Sequence, residues 1–245
     1  MSGAKVPDYE QQFAAAVSSF WSTKASQLSK ANDAGTSVNS TSGSVRAGKH
    51  MDAFEPLILQ IVHDAGVAPD VTTSGKVDLP GYYREFKSWD VVLQYKGHIL
   101  AIIEAKSQGS SLANNFNNRV EEAIGQAADV WKSHERGRLV SGLRPWVGYI
   151  MIVENTPKLT ATKHLLAGKN LPQGMTADPT FDGLSYAERY ATAFRRLDQE
   201  RMLDAACFAV TTSDGSYEYP DPWLSFNGFA AQLWGRCQHA LAVLG

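Results

Sequence analysis

The sequence predicts an α/β protein with a central mixed β-sheet flanked by helices. Two apolar runs, residues 98–106 and 146–154, carry hydrophobic side chains on both faces, as strands buried inside a sheet do. Segments with helical periodicity precede, separate and follow these runs. Because strands and helices alternate, we expect one sheet covered by helices, within a single domain that spans residues 1–245.

The N-terminal part is predicted to be helical, with one polar interruption. Residues 9–28 form the first predicted helix, and a second is expected at 51–64 with Pro56 in its first turn, where proline is tolerated. Residues 33–48 lie between them and are rich in Ser, Thr, Asn and Gly. That composition cannot bury much surface, so it predicts a flexible surface loop.

A β-hairpin is predicted in the middle of the chain. Residues 88–95 alternate in polarity, with Asp90 on one face. The opposite face is expected to carry Trp89, Val91, Leu93 and Tyr95. Lys96-Gly97 is the predicted two-residue turn, and it leads into the buried strand 98–106.

The second half alternates helices and strands. After a helix at 117–135 we expect a strand at 146–154, a helix at 184–202, a strand at 206–211 and a closing helix at 223–244. The inward face of the first of these helices is predicted to be Val120, Ala123, Ile124, Ala127, Val130 and Trp131.

Composition restricts the class of protein. The first residues lack the layout of a signal peptide, and no apolar run is long enough to span a membrane. The two cysteines, Cys207 and Cys237, predict buried free thiols and a cytoplasmic protein. A net charge of -2 neither indicates nor excludes nucleic-acid binding, which depends on local basic residues.

Three side chains of the hairpin form a candidate site. Glu104 and Lys106 are two residues apart on one strand and therefore share a face. A turn at Lys96-Gly97 leaves Asp90 opposite Ile103, so a one-residue offset or bulge would bring the three groups together.

The chemistry of this trio suits magnesium, a hard cation that takes oxygen ligands from few protein groups. An ion held by Asp90 and Glu104 would polarise a phosphodiester and lower the pKa of a bound water, which Lys106 could orient. The spacing alone leaves open a simple salt-bridged strand pair at a sheet edge.

Several motifs surround these three residues: RAGKHMDAF at 46–54, LPGYYR at 79–84, Trp89-Asp90, EAKS at 104–107, NNFNNR at 114–119 and EEAIG at 121–125. Together they resemble the PD-(D/E)xK nuclease core and, more narrowly, the XhoI family of type II restriction endonucleases. Trp89 stands where the superfamily name has proline, while the aspartate itself is present.

The resemblance implies a restriction-endonuclease-like fold with a catalytic core at 79–154, and a homodimer that cuts double-stranded DNA at CTCGAG to leave 5′ overhangs. It implies a bacterial cytoplasmic enzyme whose cognate DNA methyltransferase acts on the same site and need not bind the protein. The implied catalytic residues are Asp90, Glu104 and Lys106. The implied Mg²⁺ ligands are Asp90, Glu104, the backbone carbonyl of Ala105, and Asp52 or Glu55 from the preceding helix.

Several polar residues near this site are expected to contact DNA. Asn and Arg side chains suit adenine and guanine, but they can also hold phosphates or cap the helix that is predicted to start near Asn117. The predicted DNA contacts are Asn114, Asn115, Asn117, Asn118, Arg119, Tyr82, Tyr83, Arg84, Lys87, Arg46 and Lys49. For Tyr82 and Tyr83, packing at the core edge is the alternative, and for Arg46 and Lys49 it is simple solvation.

Other functions are less well supported. The P-loop-like stretch 43–49 is followed by His50 rather than Ser or Thr, and no zinc-type spacing of His or Cys is present. Glu121 and Glu122 are expected to be solvated or paired with Arg119, and Gln126 to pack at the core edge or touch the site. A repair nuclease of the same superfamily and a catalytically silent DNA-binding module remain alternatives.

Overall fold

The computed structural model describes residues 5–33, 52–68, 77–109, 112–139, 141–164 and 170–245. The predicted loop at 33–48 lies outside the described residues except for Asp33, which ends the first helix. Arg46 and Lys49 also lie outside them.

The strands form two sheets. A small antiparallel ribbon pairs β1 (Val77–Pro80) with β2 (Phe86–Trp89). The main sheet has the spatial order β3 (Val91–Tyr95), β4 (His98–Gln108), β5 (Trp146–Glu154), β6 (Ala205–Thr211) and β7 (Tyr217–Glu218). Its three central strands are parallel, whereas β3 and β7 pair antiparallel at the edges. The predicted mixed sheet is therefore confirmed.

Helices cover both faces of the main sheet. They are α1 (Glu10–Asp33), α2 (Glu55–Asp64), α3 (Leu112–Glu135), α4 (Pro157–Thr160), α5 (Tyr186–Gln199) and α6 (Phe226–Leu244). One buried cluster joins α1, α2 and α6 to the sheet, and a second joins α3 and α5 to its other face. Both crossover connections between the parallel strands contain a helix of the second face, as parallel pairing requires.

The predicted hairpin forms, and its turn carries the backbone strain that it needs. Lys96 and Gly97 have φ angles of 50° and 78°, the two positive values that a tight type I′ turn uses. The register then shifts between Leu93 and Gln94, because Gln94 pairs with Ile99 while Leu93 pairs with Ala101. Leu100 is therefore an extra residue in β4, and it moves every later pair by one position.

One face assignment in the hairpin was wrong. Trp89 was expected beside Val91 and Leu93, but it lies in the buried cluster on the opposite side of the main sheet. The chain bends at Asp90, and Trp89 pairs with Val77 in the separate ribbon rather than continuing β3. A bend between two strands breaks the two-residue alternation on which the prediction rested.

Two predictions about α3 also needed correction. The helix begins at Leu112, five residues before the expected start. Ile124, expected to face inward, is 38% exposed, because the buried stripe runs through Ala123, Ala127 and Val130 and leaves it at the edge.

The other predicted helices and strands are confirmed with small changes in boundaries, whereas the β1–β2 ribbon, β7 and the single turn α4 were not predicted. Cys207 and Cys237 are buried free thiols. Within the described part of the chain, no helix combines the length and apolar character needed to cross a bilayer.

Candidate active site

The hairpin register brings Asp90 to Glu104. Val91 pairs with Ile103, so continuing the ladder by one residue places Asp90 across from Glu104. The Oδ2 oxygen of Asp90 accepts a hydrogen bond from the backbone N–H of Ala105 at 3.0 Å. The Leu100 bulge supplies the one-residue offset that the sequence left open, and Asp90 is fixed directly against the Glu104-Ala105 segment.

Glu104 is a buried carboxylate held between two lysines. Its side chain is 2% exposed, and its Oε2 oxygen lies 2.7 Å from the Nζ atom of Lys87. The Nζ atom of Lys106 pairs with the other oxygen, Oε1. A buried carboxylate is tolerated when it is paired, and here each oxygen has its own ammonium group.

The three predicted catalytic residues open into one cleft of about 380 Å³. Its lining contains four basic and three acidic side chains, which leaves a positive excess suited to a phosphate backbone. The lining residues are Arg84, Lys87, Ser88, Asp90, Glu104, Lys106, Arg119, Glu122 and Gln126.

Lys87 is a largely buried member of the cleft. Its side chain is 11% exposed, and burial lowers the pKa of its ammonium, while the adjacent Glu104 carboxylate raises it and Lys106 adds a smaller lowering. The net direction is a lowered pKa. Lys87 was predicted to contact DNA, and the structure places it on the carboxylate of Glu104, one of the predicted metal ligands.

The donor set of the cleft suits a hard divalent cation. Asp90 and Glu104 supply carboxylate oxygens, and the Oε1 atom of Gln126 is buried without a hydrogen-bond partner in the described part of the chain. Among the described residues, no three His, Cys, Asp or Glu side chains stand together as a complete ligand set. Mg²⁺ favours a coordination shell in which few oxygens come from the protein and the rest come from water and phosphate.

The other predicted ligands are placed differently. Glu55 begins α2 and Asp52 lies in the turn just before it, and the buried residues of α2 pack with the α1 and α6 face of the sheet. They are not among the residues that line the cleft. Their role and that of the Ala105 carbonyl stay predictions.

A turn held by Asp129 shapes one side of the cleft. The Oδ1 atom of Asp129 accepts from the backbone N–H groups of Tyr82 and Tyr83 at 2.7 and 2.8 Å. Its Oδ2 atom pairs with Nε of Arg84 at 2.6 Å. Burial alone would raise the pKa of Asp129, but these hydrogen bonds outweigh it, and the pKa lies below its ordinary value.

Gly81 is required at the start of this turn. A Cβ atom there would lie 2.7 Å from the Arg84 carbonyl oxygen and 2.7 Å from Asp129 Oδ2. Ser133 of α3 also donates to the turn, from Oγ to the Pro80 carbonyl at 2.5 Å, and Arg138, just after the helix, donates to the Gly81 carbonyl at 2.8 Å. The LPGYYR motif is thus a turn that α3 and the residues after it hold beside the β3–β4 hairpin.

Both tyrosines of the turn lie near its surface. Tyr82 is partly buried and Tyr83 is 71% exposed, with their rings in edge contact at 4.9 Å. Tyr83 and Arg84 line a second hollow of about 730 Å³, which shares Arg84, Glu122 and Gln126 with the cleft.

The Asn-rich block lies at the start of α3. Asn114 and Asn115 fall in its first turn, so the alternative of a cap at Asn117 was wrong. Asn117 and Asn118 are exposed, and Asn118 lines the second hollow. Base or phosphate contact by this block stays a prediction.

Arg119 is the member of the block that reaches the cleft. Its Nη1 atom lies 2.6 Å from Glu122 Oε2, as expected for that pair, while Glu121 is exposed.

Two features of the site were not predicted from the sequence. Asp129 has partners 45 to 47 residues away in the chain, and no local pattern distinguishes it from a solvated helix position. The contact between Lys87 and Glu104 depends on the ribbon β1–β2, which was not predicted. Gln126, for which both alternatives were open, does line the cleft.

A five-stranded mixed sheet flanked by helices, with Asp90, Glu104 and Lys106 meeting on one hairpin, is consistent with a restriction-endonuclease-like core. The family model described as Restriction endonuclease XhoI matches residues 30–219, well over half of the chain. The chain belongs to the XhoI restriction endonuclease family.

Curated relatives agree with this assignment. The type II restriction enzyme BstVI of Geobacillus stearothermophilus is 33% identical over 189 residues, which cover 74% of this chain and 82% of the relative. The type II restriction enzyme XhoI of Xanthomonas vasicola is 35% identical over 195 residues, covering 78% and 75%. The type II restriction enzyme AbrI of Azospirillum brasilense is 32% identical, covering 74% and 83%. No solved structure matches the chain significantly.

Proposed function

We propose that this endonuclease hydrolyses both strands of double-stranded DNA at the palindrome CTCGAG, with Mg²⁺, and leaves 5′ overhangs. The target and the overhangs come from the resemblance to the XhoI family. The observation that carries the hydrolytic part is the meeting of Asp90 with the Glu104-Ala105 segment, with Lys106 on the Glu104 carboxylate.

Each charged side chain of the cleft would have its own role in catalysis. Asp90 and Glu104 would hold the cation, and the Ala105 carbonyl is a further proposed ligand. The bound cation would supply Lewis-acid polarisation of the phosphodiester and activation of water. Lys106, the more exposed of the two lysines paired with Glu104, can turn toward the reacting phosphate and offset its negative charge.

The basic side chains of the cleft would hold the DNA backbone. Arg84, in the turn before the hairpin, and Arg119, on α3 after it, both line the cleft. Arg84 is fixed by Asp129, which limits the freedom that binding must remove. Base reading is assigned to the exposed side chains of the Asn-rich block, because amides suit adenine edges.

A homodimer is part of the proposal. A palindrome presents two equivalent half-sites, and a protein with two-fold symmetry places one catalytic cleft on each strand. The proposed location is the bacterial cytoplasm, where the cognate methyltransferase modifies the same site without needing to bind this protein.

A plasmid with one CTCGAG site tests the proposal directly. Purified protein with Mg²⁺ should convert it to one linear product, and sequencing of the ends should show 5′ overhangs. A matched plasmid with one base of the site changed, and a reaction in EDTA, are the controls.

The outcomes separate the parts of the proposal. Cleavage at a different defined sequence would show that CTCGAG is not the target, while the assignment as a site-specific endonuclease would stand. An intact plasmid at every enzyme dose would defeat the catalytic assignment. If the protein sediments as a monomer both alone and with DNA, the proposed homodimer is refuted.

A further inference from the structure

The contact between Lys87 and Glu104 occupies an atom that metal binding requires. The two carboxylate oxygens of Glu104 are both taken, Oε1 by Lys106 and Oε2 by Lys87. A divalent cation that binds this carboxylate must therefore displace an ammonium group from at least one oxygen.

Lys87 has other partners that keep it in the cleft when Glu104 is taken. Its Nζ atom also donates to the Ser88 carbonyl at 2.9 Å and lies 4.2 Å from the centre of the Trp89 ring. A carbonyl and an aromatic face can both hold an ammonium group. Released from Glu104, Lys87 stays beside Arg84 and Arg119 in the same cleft.

We infer that Lys87 is an exchangeable counter-ion of Glu104, which neutralises this carboxylate without metal and turns to the DNA phosphate when a divalent cation takes the Oε2 oxygen. The inference rests on the proposed role of Glu104 as a metal ligand. It assigns Lys87 a function distinct from the fixed DNA contact that its sequence neighbourhood suggested. Lys87 thereby couples metal binding to phosphate binding.

The exchange of Lys87 explains how the cleft tolerates the Glu104 carboxylate both without metal and with metal. Without metal, the buried Glu104 carboxylate would be costly if a lysine did not face each oxygen. When a cation takes Oε2, an ammonium group left on that same oxygen would compete with it for the oxygen and repel it, whereas Lys106 pairs with Oε1. Moving Lys87 toward an incoming phosphate removes this repulsion and adds an attractive contact for the DNA.

The first test measures metal binding by the protein alone. Thermal unfolding is followed in EDTA and across a Mg²⁺ titration, because a ligand that binds only the native state raises the melting temperature. Lys87→Met should melt lower than wild type in EDTA. Its apparent affinity for Mg²⁺ should be about tenfold tighter, the effect of removing roughly 1.4 kcal/mol of competition.

Three variants make this test specific. Lys132→Met removes the same charge from an exposed pair with Glu135 and should leave the Mg²⁺ response unchanged. Lys87→Arg keeps the charge and should respond as wild type does. In a Glu104→Gln background, Lys87→Met should no longer tighten Mg²⁺ binding. The inference is overturned if Lys87→Met binds Mg²⁺ no more tightly than wild type or than Lys132→Met.

A second test follows the phosphate contact. The salt dependence of DNA binding is measured for wild type and Lys87→Met in Ca²⁺ and in EDTA, using a duplex that contains CTCGAG. Loss of one phosphate contact lowers the slope of the salt plot by about 1. That loss should occur in Ca²⁺ and not in EDTA.

The second test also separates the two claims. An equal change of slope in both conditions would identify Lys87 as a fixed phosphate contact and refute the exchange. If wild type cleaves the plasmid but Lys87→Met shows neither effect, the exchange fails while the proposed function stands. If wild type never cleaves DNA, the proposed function fails independently of the Mg²⁺ titration.

Discussion

The Asp90 carboxylate accepts a hydrogen bond from the Ala105 backbone N–H, with 3.0 Å between oxygen and nitrogen. The bond ties the bend between β2 and β3 to strand β4. It holds one proposed metal ligand by the backbone next to the other, so Asp90 is oriented before any substrate binds. Preorganised charge of this kind is the usual source of large catalytic effects.

Replacing Asp90 by Asn or Ala should abolish cleavage. The neutral side chain removes one of two proposed carboxylate ligands, and we expect a rate loss of about 100-fold or more. Specific binding to CTCGAG duplex in Ca²⁺ should stay measurable, because the basic groups of the cleft remain. Cleavage is followed on plasmid and binding by gel shift, with the exposed Glu85→Gln as control. A normal cleavage rate for Asp90→Ala would show that this site is wrong.

Gly81→Ala should destabilise the turn beside the cleft. The added Cβ would lie 2.7 Å from a backbone oxygen and from Asp129 Oδ2, and neither atom can move freely. We expect a loss of about 1–3 kcal/mol in the free energy of unfolding, measured in urea.

Gly235→Ala is the matched control for this prediction. It lies inside α6 with no atom within 4 Å of the new Cβ, and alanine there should stabilise by about 0.5–1 kcal/mol. Equal effects of the two changes would show that Gly81 is not sterically constrained.

Asp129→Asn should lose stability in a way that depends on pH. The pKa of Asp129 in the folded protein lies below its ordinary value of 3.8. The charged form therefore stabilises the fold above that ordinary value, and this contribution disappears as the pH falls through the lower folded value. Near neutral pH we expect the variant to be less stable by about 1–3 kcal/mol.

Urea unfolding at about pH 7 and about pH 3 measures this difference for wild type and variant. The gap between the two proteins should be narrower at the acidic pH. A gap of the same size at both pH values would mean that the charge of Asp129 does not stabilise the turn.

Arg119→Ala should weaken DNA binding, and the pattern of the loss reveals its role. Arg119 lines the cleft, and its pairing with Glu122 at 2.6 Å must change when it contacts DNA. If it reads a base, binding to CTCGAG duplex should weaken by about 1–3 kcal/mol while random duplex is bound as before. Lys132→Ala, on the same helix but paired with Glu135, is the control. Equal losses on both duplexes would assign Arg119 to the phosphate backbone.

The periodicity of the chain was sufficient to predict most of the fold. Strands 146–154 and 98–106 were found because buried central strands are apolar on both faces, and the structure extends the second to Gln108. The Lys96-Gly97 turn was found from local chemistry. The bend at Asp90, and with it the displaced Trp89, was not predicted, because the alternation of residues 88–95 continues across the bend without a visible break.

The sequence alone determined that Glu104 and Lys106 share one face of a strand and that a tight turn brings the Asp90 region back beside that strand, since two-residue periodicity and a tight turn are local properties. Tertiary structure decided the rest. The Leu100 bulge aligned Asp90 with Glu104, the β1–β2 ribbon brought Lys87 onto the same carboxylate, and Asp129 of α3 fixed the turn 81–84. Each of these depends on contacts between residues distant in the chain, whose register and packing no local pattern encodes.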